Sequence, residues 1–123
     1  MADSRRSVGQ RGEDLAVAHL LTLGYRILER NFRCPAGEID VVAAHGDVLV
    51  VVEVRARRSR LFGSPEESVT PRKAARLAAL EQHYRLMREG LPEQSRIDVV
   101  AIDFGPRLEV LRMAVIENAV EGS

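Results

Sequence analysis

Residues 37–58, GEIDVVAAHGDVLVVVEVRARR, limit what this chain can fold into more than any other stretch. Two apolar runs, 39–44 and 47–55, flank His45-Gly46, and a two-residue loop ending in glycine suits a tight hairpin. With the turn there, Ala44 pairs with Asp47 and Asp40 falls opposite Val51. Alternation then puts Ile39, Val41, Ala43, Val48, Val50, Val52 and Val54 on one wholly apolar face. The other face carries Asp40, Val42, Ala44, Leu49, Val51, Glu53 and Arg55. It is apolar beside the turn and charged at its far end.

In this register Asp40 and Glu53 are diagonal neighbours, with backbone centres roughly 7–8 Å apart. Two acids that close in a half-buried place repel each other, which raises a pKa or demands a cation. Magnesium suits such a pair, because it takes one or two carboxylates and leaves other positions to water and phosphate. The plainer reading is a surface strand end with Glu53 and Arg55 as a solvated ion pair, worth about 0–1 kcal/mol. A one-residue slip of register would send the two acids to opposite faces.

The remaining elements follow from periodicity and punctuation. Residues 7–23 have helical spacing, with Val17, Leu20, Leu21 and Leu23 near one face, and stop at Gly24. Residues 25–33 alternate as a strand, setting Tyr25, Ile27 and Glu29 against Arg26, Leu28 and Arg30. After a loop, Thr70 is a good N-cap and Pro71 sits well in the first helical turn. That helix runs to about Glu89 and ends at Gly90, with Leu77, Leu80, Tyr84 and Met87 as its apolar stripe. Strands follow over 96–104 and 108–113, and the tail from residue 114 frays. Helix, three strands, helix and two strands make an α/β domain with a mixed sheet.

The chain has 123 residues, 46% hydrophobic and 29% charged, which fits one globular domain spanning 1–123. No apolar run reaches the roughly 18 residues of a membrane span, and no apolar stretch follows the basic N-terminus as a signal peptide requires. One cysteine, Cys34, excludes an intramolecular disulfide and suits a reducing cytoplasm. His19, His45 and His83 have no metal-ligand spacing with it, and His45 is read as a turn residue. Formal net charge is zero, so no global polybasic character argues for nucleic acid. Locally, however, RARRSR at 55–60 holds four arginines and no acid. Arginine is the better phosphate-fork donor. Lys73 is the single lysine of the chain. With Arg72 it opens the second helix, where free backbone N–H groups suit a phosphate.

GQRGEDLAVAHLLTLGYRILERNFR, GEIDVVA, VVVEVRARRS, FGSPEESVTPRK and RIDVVAIDF, in this order, resemble the PD-(D/E)xK nuclease superfamily. More closely, they resemble the YraN family of small bacterial proteins, described as Holliday-junction-resolvase-like endonucleases. The resemblance implies a restriction-endonuclease-like fold: a central mixed five-stranded sheet flanked by helices, in the order α-β-β-β-α-β-β. It implies that Asp40 and Glu53 bind Mg²⁺ or Mn²⁺, joined by Glu13 from the first helix. Glu13 shares a helix face with Val17 and Leu20, which turns it inward. A helpful charge in a first turn is the plainer account of it.

The departure is Arg55, where the superfamily has lysine. Arginine stays charged in essentially all settings and cannot act as a base, though it can bind the scissile phosphate. Some members of the superfamily take the lysine from a neighbouring helix, which makes Lys73 a candidate substitute; a phosphate-binding or merely exposed lysine is the plainer account of it. The expected function is a metal-dependent endonuclease hydrolysing DNA phosphodiester bonds, of branched or structured DNA by resemblance. Arg57, Arg58, Arg60, Arg72 and Lys73 would hold the backbone. The alternatives are a nucleic-acid-binding module with weak or lost catalysis, and a protein-interaction domain with decorative charges. A homodimer is expected from the resemblance alone.

Overall fold

The computed structural model describes residues 4–58 and 70–119. Helix α1 (Ser4–Thr22) leads into β1 (Arg26–Cys34), β2 (Gly37–His45) and β3 (Val48–Arg57). Helix α2 (Pro71–Met87), β4 (Gln94–Phe104) and β5 (Val110–Ile116) follow. The strands form one five-stranded sheet in the order β1-β2-β3-β4-β5, antiparallel except between β3 and β4. A parallel pair needs a crossover, and α2 lies within the one between β3 and β4. This is the mixed α/β arrangement of a restriction-endonuclease-like fold. No helix among the described residues is long and apolar enough to cross a membrane.

Two cores sandwich the sheet. On the α1 side, Ala16 and Leu20 pack with Val41, Ala43, Val50, Val52, Val100, Ile102 and Phe104. On the α2 side, Leu77, Leu80 and Tyr84 pack with Phe32, Ile39, Val42, Leu49 and Val51. The valine-rich hairpin is therefore buried on both faces, which explains its near-continuous hydrophobicity. Ile39 and Val41 sit two residues apart yet enter different cores, so the regular alternation breaks at Asp40.

The helical stripes differ from those expected. In α1 the buried line is Val8, Gly12, Ala16 and Leu20, while Leu21 and Leu23 are exposed. A Cβ on Gly12 would stand 2.5 Å from that of Ala56, so glycine is what lets α1 lie directly on β3. In α2 the buried side chains are Leu77, Leu80, Glu81 and Tyr84, and Met87 is exposed. Thr70 caps α2 as expected: its side chain accepts from Lys73 N–H at 3.1 Å, and Pro71 occupies the first turn.

Strand β1 carries a bulge between Ile27 and Glu29. An extra residue re-aims everything after it, so the simple alternation expected for this strand fails. Glu29 pairs with Arg88 of α2, whereas Arg30 reaches Glu13 of α1.

The C-terminal tail does not fray over its described part. Strand β5 runs to Ile116, Asn118 N–H donates to Asp98 at 2.9 Å, and Ala119 N–H donates to the Ile97 carbonyl at 2.8 Å. Asp98 is fully buried within β4.

Candidate metal and phosphate site

The hairpin loop is Gly46-Asp47, with His45 paired to Val48. Gly46 has φ of 62° and stands at the first central position, where a II′ turn takes glycine. The register is thus displaced by two residues from the expected one. An even displacement preserves faces, so Asp40 and Glu53 still meet. They are level with each other rather than diagonal, because the last pair, Val41 with Val52, extrapolates to Asp40 beside Glu53. Backbone pairing ends there. The Asp40 carboxylate instead accepts the Val54 N–H at 3.0 Å.

Asp40 and Glu53 lie close enough for their carboxyls to hydrogen-bond. Burial pushes the Asp40 pKa up, and the neighbouring Glu53 carboxyl and the more remote Glu13 charge push it further, against the opposing Val54 N–H. The result is about 7, from an ordinary 3.8. Folded Asp40 therefore holds a proton between pH 3.8 and about 7 that the unfolded chain has released. Stability from this group is present at low pH and is lost as pH rises through that window. Asp40→Asn is accordingly expected to stabilise the protein only where Asp40 would be ionised in the unfolded chain. Its gain should open above about pH 4 and level off above about pH 7. Urea midpoints of the two proteins across this range check it, and parallel curves would refute it.

Glu53 has a side chain 13% exposed, paired with the Lys73 ammonium of α2; Arg55 Nη1 lies 3.9 Å away. The lone lysine thus meets the acid of the β3 motif, while the arginine in the motif itself is 46% exposed. Lys73 N–H is already taken by the Thr70 cap, so this part of the helix start serves the lysine's placement.

Glu13 lines a cleft of about 500 Å³ together with Val8, Gly9, Asp40, Val54, Ala56, Arg57 and Arg58. Its carboxylate is held by Arg30 Nη2 at 2.9 Å and Asn31 Nδ2 at 2.9 Å. Asn31 adopts φ of 55° just beyond the β1 bulge. Sequence reasoning missed both partners; the Arg30-Asn31 step within a strand was the one local signal. Among the described residues, no set of three His, Cys, Asp or Glu side chains converges on a point that could hold a metal. The structure brings Asp40 and Glu53 together and leaves Glu13 across the cleft, tied to Arg30 and Asn31. The pair alone meets magnesium's requirement of one or two carboxylates, and a cation would offset both the burial and the neighbouring Glu53 charge that raise Asp40.

The other expected phosphate contacts divide. Arg57 Nε donates to Asp103 at 2.7 Å, Arg58 is exposed beside the cleft, and Arg72 is exposed at the start of α2. Arg60 lies outside the described residues. His45 is more than a turn residue: its ring stacks on Tyr25 at 4.1 Å between centroids, and its Nδ1 is 2.6 Å from Arg96 Nη2.

A family profile described as "Uncharacterised protein family UPF0102" matches residues 12–102, from within α1 to near the end of β4. A UPF0102 protein of Moorella thermoacetica is 50% identical over 120 residues, covering 97% of this chain and 99% of that one. One from Anaeromyxobacter dehalogenans is 47% identical over 110 residues, covering 87% and 82%. One from Acidothermus cellulolyticus is 48% identical over 127 residues, covering 92% and 96%. With a profile match across most of its length and relatives of this identity, the chain belongs to the UPF0102 family, the YraN family of the sequence motifs.

Proposed function

We propose that this protein is a metal-dependent endonuclease acting on the phosphodiester backbone of DNA. The observation that carries the reading is the half-buried Asp40–Glu53 pair, with Asp40 raised in proton affinity and Glu53 met by Lys73. Asp40 and Glu53 would hold a magnesium or manganese ion, with Glu13 acting through its charge from across the cleft. Such an ion supplies Lewis acidity and an acidified water. The Val54 N–H fixes one Asp40 oxygen and so sets the direction of the carboxylate. Lys73 fills the place left by Arg55, neutralising Glu53 and standing where a water could be oriented for attack. Arg55, half exposed, can donate to a phosphate oxygen without changing protonation. Arg57, Arg58 and Arg72 add contacts that position the backbone without reading sequence.

A binding module with the same surface and little chemistry is the second reading. It is favoured by Arg55 and by a Lys73–Glu53 ion pair that already satisfies the acid. Cleavage of branched and single-stranded DNA with Mg²⁺ or Mn²⁺ separates the two. Wild-type cutting that needs the ion and disappears in both Asp40→Ala and Glu53→Ala is the expected result. Salt-sensitive binding without any cutting would establish the module instead.

A further inference from the structure

From Arg57 at the cleft, a row of charge crosses the sheet toward the β5 edge. Arg57, Asp103 and Arg112 are register partners on β3, β4 and β5, so their side chains leave the same face side by side. Asp103 is only 4% exposed. Arg57 Nε donates to its Oδ1 at 2.7 Å, and Arg112 Nη1 lies 4.0 Å from its Oδ2. One step toward the acid pair, the row is Arg55, Ala101 and Ala114, where two small side chains put no bulk between the arginines. Arg55 and Arg112 have side chains 46% and 47% exposed.

Asp103 thus accepts from Arg57 and stands at ion-pair distance from Arg112, whose exposed guanidinium carries five N–H donors that an anion can meet. Across this face Arg55, Arg57, Arg112 and Lys73 outnumber Glu53 and Asp103 by two charges, although the whole chain is neutral. An open row suits an extended polyanion better than a single small anion. Two strand spacings put Arg57 and Arg112 backbones about 9.5 Å apart, wider than one small anion can bridge.

We infer that Arg112 is a phosphate-binding residue positioned by Asp103, and that a nucleic-acid backbone runs from the acid pair across β3 and β4 to the β5 edge. This rests on nucleic acid being the ligand of the cleft, and it needs no catalysis. The test is binding of a short random-sequence DNA duplex in EDTA across a salt series, for wild type, Arg112→Gln, Arg112→Lys and Arg26→Gln. Arg26 is exposed at the opposite end of the sheet and controls for net charge. Arg112→Gln is expected to shallow the log–log salt slope by about 0.9, one phosphate contact, Arg112→Lys to restore it, and Arg26→Gln to leave it unchanged. A wild-type slope retained in Arg112→Gln, or an equal change in Arg26→Gln, overturns the inference while leaving the endonuclease reading intact. Absence of any wild-type binding overturns both. Absence of cutting with the expected slopes overturns only the endonuclease.

Discussion

Asp98→Ala should cost the fold about 3 kcal/mol. Asp98 is 0% exposed, and its carboxylate accepts the Tyr25 hydroxyl at 2.7 Å, the Arg96 guanidinium at 3.0 Å and the Asn118 N–H at 2.9 Å. One side chain therefore ties the residue before β1, strand β4 and the segment after β5 together. Its removal leaves the Asn118 backbone donor unpaired, leaves the Tyr25 hydroxyl only a long 3.5 Å bond to Glu117 to donate into, and strips Arg96 of its main partner. The value belongs at the low end of the range for broken buried pairs. Arg96 is 19% exposed and also lies 3.7 Å from Glu117, so water and a second acid take up part of the loss. Against a total of about 5–15 kcal/mol for a domain, this remains a large fraction. At a urea slope near 2 kcal/mol/M the midpoint falls by about 1.5 M. Asp98→Asn keeps acceptors for the hydroxyl and the backbone and should lose markedly less. Equal midpoints for wild type and Asp98→Ala would mean that the network is decorative.

Lys73→Ala should lower the rate of DNA cleavage by about 10²–10⁴-fold if the endonuclease reading holds, the range for a lost acid–base or water-positioning group. Lys73→Arg should recover little, because arginine keeps its charge but cannot exchange a proton. Arg55→Ala, by contrast, removes an exposed phosphate contact and should act mainly on binding. The informative protein is the Arg55→Lys, Lys73→Ala double variant, which returns the lysine to the strand. Substantial recovery there would show that one ammonium beside Glu53 suffices, whichever element supplies it. Single-turnover rates with separately measured DNA affinities distinguish these outcomes. Wild-type rates in Lys73→Ala would remove the lysine from the site.

Much of this architecture was readable locally. The hairpin carried its own turn residue and its own pattern, and an error of two in register still delivered the right faces because the side-chain period is two. Thr70, Pro71 and the 71–87 periodicity marked α2 without reference to anything distant. The failures share a cause. The β1 bulge moves Arg30 to Glu13 and Glu29 to Arg88, and no local preference marks which partner a re-aimed side chain will meet. Leu21 and Leu23 read as core because the helix was judged by hydrophobicity. The buried line instead runs through Gly12 and Ala16, whose merit is small size against β3.

By itself, then, the sequence determined the order of elements, the two-sided burial of the central strands and the pairing of Asp40 with Glu53 on adjacent strands. Those are consequences of short-range periodicity and turn chemistry. Tertiary structure alone decided that Lys73 approaches Glu53, that Arg30 and Asn31 hold Glu13 away from the pair, and that Asp98 and Asp103 anchor arginines. Each of these joins residues far apart in the chain, where the distance between side chains is set by how helices settle on the sheet.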